Sequence, residues 1–390
     1  MKRVAVIGAG QTTYGLFPER TLKELVADAA SDAYASVDKG FSPAEVEEVF
    51  VGNLGTGGSQ LGNFAPLMVE AAGMLGASAT HVENACASSG FAFRHAVAAI
   101  ASGHARIAVA GGVEKMSDLP RERNRLWLGV SGDVEWERLA GTNFPGIYAM
   151  MARRHMHEYG TRKQDITGVA VKNRAHAVAN PKAQFRKALE LEAAMKAPNL
   201  AAPFCLSDAC GMTDGASFVI LCDWETAKAF TDNPVEVVGS GGATDYVAIH
   251  DRPSMTVLPA AHRAAKQAYE MAGVTADEID LAEVHDCFTI GELLAYGDLG
   301  FCAPKDAGRL IADGTTRLGG RKPVNVSGGL IGKGHPIGAT GTGQIYELFN
   351  QLRGDARDSS RQVANARYGL AHNVGGSGGS VAVHVLKAAH

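Results

Sequence analysis

The sequence predicts an α/β fold made of two related halves, and three observations carry that reading. Near-continuous apolar runs such as Val4–Ile7 and Ile107–Ala110 alternate with helical patterns, as strands buried on both faces do. One twelve-residue segment recurs. Between the two copies, from Glu114 to Asn233, the chain turns charged and irregular, as in Asp118-Leu119-Pro120-Arg121-Glu122-Arg123. The expected organisation is therefore a first half over 1–113, an inserted loop domain over 114–233 that also closes part of the first half, and a second half over 234–390.

Taken in order, Met1-Lys2-Arg3 and Val4–Ile7 read as a first strand, because the apolar run is too short for a secretory segment. Gly8-Ala9-Gly10 resembles the start of a dinucleotide-binding turn, but Thr13 stands where the third glycine belongs, which argues against a nicotinamide site. A helical pattern follows over Leu22–Ser36. Gly40 to Val51 then aligns without a gap on Gly273 to Val284: each copy has a glycine helix stop, a Ser or Thr cap, an acidic turn and a strand. Helical patterns precede both copies, the second over Ala260–Met271. A weaker echo links 105–112 with 366–371, the latter leading into Asn373-Val374-Gly375-Gly376.

An apolar content of 46% with 20% charged residues describes an ordinary folded chain, and 390 residues suffice for more than one domain-sized unit. The formal charge of −4 argues against general binding to nucleic acid or to anionic membranes, and no stretch is long enough to span a bilayer. The last residues form no peroxisomal address, so the expectation is a cytoplasmic protein. Six cysteines, at 86, 205, 210, 222, 287 and 302, are too sparse for a disulfide framework and fit a reducing compartment. No Cys-x-x-Cys pair occurs, and metal binding is not expected. The basic stretch from Lys172-Asn173-Arg174 to Arg186-Lys187 either meets phosphates or is a solvated helix face. Trp127 and Trp136 either narrow a pocket or simply pack.

Three clusters carry the chemistry. Cys86 lies in Asn84-Ala85-Cys86-Ala87-Ser88-Ser89-Gly90, ahead of the apolar run Phe91–Ile100, where the start of a helix would favour the thiolate. The alternative is a packed, inert thiol. The second cluster is His285-Asp286-Cys287-Phe288, and the third is Gly332-Lys333-Gly334-His335-Pro336-Ile337-Gly338-Ala339-Thr340-Gly341. A soft nucleophile, imidazoles and glycine-rich turns that let backbone amides approach are the parts acyl transfer needs.

Together with the duplication, the Cys86 turn and the Gly-His-Pro-x-Gly-Ala-Thr-Gly run at 334–341 resemble the thiolase family over nearly the whole chain. Many thiolases carry Asn-Glu-Ala-Phe where this chain has His285–Phe288, and Cys-x-Gly-Gly where it has Asn373–Gly376. This double change is similar to the sterol-carrier-protein-2 type and its bacterial and archaeal acetyl-CoA acetyltransferase relatives, as are Lys172–His176, Asn180-Pro181, Gln184-Phe185 and Thr213–Ala216.

The resemblance implies a duplicated five-layer αβαβα core with an inserted loop domain, a homodimer or dimer of dimers, and reversible condensation and thiolysis of 3-oxoacyl-coenzyme A through an acyl-cysteine. It implies coenzyme A thioesters as substrates and no resident cofactor. In some bacterial relatives it implies a small partner with a zinc ribbon and an OB fold. By the same resemblance Cys86 is the nucleophile, His335 its proton acceptor and Cys287 the acid/base. His285 with His335 would hold the enolate oxygen, and the backbone amides of Cys86 and Gly375 would hold the acyl oxyanion. Residues that bind coenzyme A are not assigned, and Cys205, Cys210, Cys222 and Cys302 are read as structural. Two other readings stay open: a ketoacyl-synthase-like or acetyltransferase relative using Cys86, His285 and His335 on another acceptor, and a non-catalytic acyl-CoA-binding subunit.

Overall fold

The structure, a computed structural model, describes residues 2–58 and 60–389. The first half runs β1 (Val4–Gln11), α1 (Leu22–Ala35), β2 (Glu48–Gly52), α2 (Phe64–Ala72), β3 (Ser78–Val82), α3 (Ser88–Ser102) and β4 (Ile107–Glu114). A loop domain follows with α4 (Arg121–Leu128), α5 (Phe144–Tyr159), α6 (Lys163–Ala177), α7 (Leu191–Met195) and the hairpin β5 (Asn199–Ala201) and β6 (Phe204–Cys205). The chain returns to the core through β7 (Gly215–Asp223) and α8 (Trp224–Ala227). The second half has β8 (Val235–Thr244), α9 (Pro259–Ala272), β9 (Leu281–Glu283), α10 (Thr289–Asp298), α11 (Ala307–Ala312), α12 (Gly329–Gly332), α13 (Thr340–Leu352), β10 (Tyr368–Gly375) and β11 (Ser380–Lys387).

The strands are hydrogen-bonded in the order β3-β2-β4-β7-β1-β8-β11-β10-β9. Read outward from the centre, this is one plan used twice. In the first half β1 pairs antiparallel with β7, β7 antiparallel with β4, and β4 parallel with β2, which pairs parallel with β3. In the second half β8, β11, β10 and β9 repeat these directions, and the parallel bridge Ala282↔Val324 stands in the place of β3. The halves meet between β1 and β8 over the pairs Val4↔Val237 to Val6↔Val235.

Alternation along the strands sends successive side chains to opposite faces and so divides the core into three helical layers. Ala5, Ile7, Val49 and Val109 face Leu25, Ala29 and Ala33 of α1. Val4, Val6, Ala108 and Ala110, with Val235 and Leu386 from the other half, face α3 and α13 in the middle. Leu370, Val383 and Val385 face Ala261, Ala264 and Ala268 of α9. The result is the expected five-layer αβαβα core.

Two glycine pairs show how closely the copies match. A Cβ on Gly10 of β1 would lie 2.1 Å from the Ala33 nitrogen of α1, and one on Gly241 of β8 would lie 2.0 Å from the Ala264 oxygen of α9. The Gly8-Ala9-Gly10 run is thus a strand that lets a helix approach, not a nucleotide turn. The gapless repeat also falls on equivalent elements: short turns at Pro43–Glu45 and Ala276–Glu278 lead into β2 and β9.

The charged segment 114–233 is more than a loop domain, because β7 is buried in the middle of the sheet between β4 and β1. Its basic stretch is split between the two ends, with Arg186 and Lys187 exposed and Lys172 not. Lys172 is buried, pairs with Glu292 at 2.6 Å and donates to the Val324 carbonyl, so it faces neither solvent nor a phosphate.

Candidate active site

Cys86 sits in a tight turn between β3 and α3. Ala85 takes a left-handed conformation at φ 50°, and its amide donates to Glu83 at 2.6 Å. Ser88 Oγ accepts from the Asn84 amide at 3.0 Å and donates to the Ala85 carbonyl at 2.5 Å. These bonds hold a turn that a non-glycine residue adopts only at a cost. α3 begins at Ser88, two residues past the cysteine. Burial is the largest influence on Cys86 and pushes its thiol up, although its own amide and that of Gly376 face the sulfur and favour the anion. Burial thus opposes the thiolate that a nearby helix start was expected to favour.

His335 enters from the second half, in the loop between α12 and α13. Gly334 at φ 115° allows this loop to turn against Thr213, whose hydroxyl accepts from the His335 amide at 3.0 Å. The start of α13 packs directly on the start of α3, since a Cβ on Gly341 would lie 2.3 Å from the Gly90 nitrogen. That contact brings the nucleophile and the imidazole together. His335 Nδ1 is 2.7 Å from Thr340 Oγ1, and this hydroxyl donates to the Pro336 carbonyl. Nδ1 therefore carries the proton and Nε2 keeps its lone pair. Burial lowers the imidazole to about 3, so it stays neutral.

His285 has the opposite tautomer. Asn373 Nδ2 donates to the Cys86 carbonyl at 2.9 Å, which fixes the amide's orientation, and the same nitrogen lies 3.4 Å from His285 Nδ1. His285 Nδ1 is then an acceptor and Nε2 a donor. Nε2 is buried and has no hydrogen-bond partner among the described residues. Burial and the neighbouring His335 and His372 hold His285 neutral. The Cys86 sulfur and one nitrogen from each of His285 and His335 lie within 4.8 Å of one another, and the two rings meet edge to face at 5.1 Å between centroids.

Cys287, buried two residues on, lines the same cavity as Cys86. Asp286 between the two site residues turns away and anchors the segment, accepting from the Leu330 amide at 2.6 Å and Asn173 at 2.7 Å. Burial pushes the Cys287 thiol up to about 12.

The cavity has a volume of about 270 Å³. Its walls are largely apolar, with Phe144, Tyr148 and Phe288 among them, and the exposed Arg121 and Arg125 of α4 border it. All four expected catalytic side chains are thus near one space: Cys86, Cys287 and His335 line it, and His285 lies within 4.8 Å of Cys86 and His335. Of the two amides expected near the acyl group, that of Cys86 faces its own sulfur and that of Gly375 does not. Gly375 ends β10 and packs on Asn84, whereas the other amide facing the Cys86 sulfur is that of Gly376. Cys210, read from sequence as structural, lines the cavity and donates its amide to the Cys287 carbonyl at 2.9 Å. Trp136 is exposed, and Trp127 packs near Gly58 outside the cavity. Tyr148, Thr340, Arg121 and Arg125 were not singled out by sequence. No local pattern marks Tyr148 or the arginines, while Thr340 lay within the Gly-His-Pro run.

The comparisons with known proteins agree with this architecture. Residues 4–194 match the family model described as thiolase, N-terminal domain, and residues 241–388 match the thiolase C-terminal domain-like model. The chain is 42% identical over 387 residues to an acetyl-CoA acetyltransferase of Methanothermobacter thermautotrophicus, covering 99% of this chain and 100% of the relative. It is 32% identical over 406 residues to sterol carrier protein 2 of Homo sapiens, covering 99% of this chain and 72% of the relative. The solved structure of an Ltp2-ChsH2(DUF35) aldolase superposes with a TM-score of 0.85 at 26% identity, covering 99% of this chain and 98% of that one. With a duplicated five-layer core, a cysteine and a histidine brought together by its two central helices, and family models matching both halves, the chain belongs to the thiolase family.

Proposed function

We propose that this protein is an acyl-CoA:acetyl-CoA C-acyltransferase that runs condensation and thiolysis of 3-oxoacyl-CoA through an acyl group on Cys86. The observation that carries the reading is the convergence of the Cys86 sulfur with a base-tautomer His335 and a donor-tautomer His285 beside a largely apolar cavity.

In acylation, His335 Nε2 takes the Cys86 proton as the sulfur attacks the thioester carbonyl, which removes the need for a resting thiolate. The amides of Cys86 and Gly376 face the place where negative charge develops on the carbonyl oxygen. Cys287 gives its proton to the departing coenzyme A thiolate. In the second half-reaction the Cys287 thiolate takes an α-proton from acetyl-CoA, and the C–H electron pair becomes the enolate. His285 Nε2–H, together with the protonated His335, holds the enolate oxygen. The enolate carbon then attacks the acyl carbonyl, Cys86 leaves as thiolate and recovers its proton from His335.

Arg121 and Arg125 at the cavity's border are suited to the phosphates of coenzyme A, the role considered from sequence for the stretch 172–187. We further propose a cytoplasmic enzyme of lipid metabolism that acts as a homodimer or dimer of dimers. The likeness to the Ltp2-ChsH2(DUF35) aldolase, whose name joins two components, supports a partner of the small zinc-ribbon and OB-fold kind.

Incubation with acetyl-CoA followed by peptide mass spectrometry tests the core of the reading. One acetyl group is expected on Cys86 and none after Cys86→Ala, and thiolysis over a panel of 3-oxoacyl-CoA lengths then gives the preferred chain. Acetyl found on another cysteine with Cys86 unmodified contradicts the assignment.

A further inference from the structure

Tyr148 of α5 is 2% exposed and yet forms part of the cavity wall beside Cys86 and Cys287. Its ring stacks on Phe288, the residue after Cys287, at 4.8 Å between centroids and 26°, and Phe288 stacks in turn on Phe204 at 5.7 Å. The stack leaves the ring no freedom to move its hydroxyl away. That hydroxyl donates to the Gly376 carbonyl at 3.0 Å, and the ring shares the cavity wall with Cys287. The groups facing this pair are Cys86, Cys210, Asp286 and Arg252. The guanidinium of Arg252 is tied to the Ser377 carbonyl at 2.5 Å and to the Ser377 hydroxyl.

We propose that Tyr148 is a positioning residue for the carbon–carbon bond step, holding Cys287 toward the substrate and donating a hydrogen bond to its sulfur when that sulfur is a thiolate. The inference rests on the assignment of Cys287 as acid/base and deepens it. A phenol has one proton and two acceptor lone pairs, so its role changes with the state of its neighbour. While Cys287 is a thiol, its S–H points to the Tyr148 oxygen and the Tyr148 O–H points to Gly376. Once Cys287 has passed its proton to the departing coenzyme A thiolate, the Tyr148 O–H turns from the Gly376 carbonyl to the sulfur, and the charge-assisted bond offsets part of the cost of a buried anion. When the α-proton arrives on the sulfur and its C–H electron pair enters the enolate, the O–H returns to Gly376. Because the Gly376 amide faces Cys86, one hydroxyl touches both the turn beside the acyl group and the base that serves the enolate.

The test is exchange of the acetyl-CoA methyl protons with deuterated water as a function of pH, for the wild type and Tyr148→Phe, with Cys86 acetylation measured in parallel. Tyr148→Phe keeps the stack and removes the donor. Its rising limb is expected at higher pH, and a displacement of about one unit makes exchange about tenfold slower on the rising limb, with the gap closing as pH increases. Acetyl-Cys86 still forms to one per chain. Site-specific 3-fluorotyrosine at position 148, a stronger donor, is expected to move the limb to lower pH. A Tyr148→Phe limb that coincides with the wild type overturns the proposal, even where the rate falls uniformly. If that variant does not fold, an unmoved limb with 3-fluorotyrosine overturns it. Cys287→Ala in the same assay separates the two ideas: retained exchange contradicts the acid/base assignment, whereas lost exchange with an unmoved Tyr148→Phe limb contradicts only the role of Tyr148.

Discussion

The two central helices occupy the same place in two copies of one plan, yet the loops that enter them carry opposite chemistry. Before α3 stands Cys86, in a turn that a left-handed Ala85 forces outward. Before α13 stands His335, in a loop that Gly334 and Thr213 hold. The loops after β2 and β9 have diverged in the same way. The first, at Asn53–Thr56, is bonded to the buried Glu114 and does structural work, while the second supplies His285 and Cys287. The packing is alike and the loops differ, so the Cys86 sulfur comes from one half and the imidazoles that meet it from the other.

If the second half contributes chemistry and not only a scaffold, His335→Ala slows both acylation and carbon–carbon bond formation. Loss of one general base or oxyanion donor costs about a hundredfold or more in rate. Turnover within a few-fold of the wild type in a stopped assay of each half-reaction shows instead that the Cys86 half works unaided. A smaller effect sharpens the scaffold side of the comparison. Gly10→Ala and Gly241→Ala each push a methyl into a helix backbone, and overpacking of this kind costs about 1–3 kcal/mol. Urea unfolding is expected to show similar losses for the two variants. A loss at one site only means that the close helix–strand contact has been kept in just one copy.

What could be read from the chain follows the range of the interactions involved. The repeat at 40–51 and 273–284 was visible because caps, turns and strand patterns are local, and β2 and β9 lie where it put them. Cys86, His285, Cys287 and His335 stood out because reactive residue types sat in small-residue and glycine-rich turns. The role of β7 was hidden within a charged segment, since a strand's place in a sheet is decided by partners more than a hundred residues away. Lys172 looked like a surface cation because its partner, Glu292, lies in another element. Tyr148 reaches the site only through the fold of α5 over the cavity. Cys86 shows the same division: proximity to a helix start is local and favours the anion, whereas burial by both halves is not local and opposes it.

The division of labour between the halves turns on Cys287. In Cys287→Ala, acetyl-CoA is expected to label Cys86 as in the wild type, while exchange of the acetyl-CoA methyl protons with deuterated water, acetoacetyl-CoA synthesis and thiolysis are all lost. Methyl-proton exchange at the wild-type rate in that variant would contradict the account and leave His285 as the next candidate for the base.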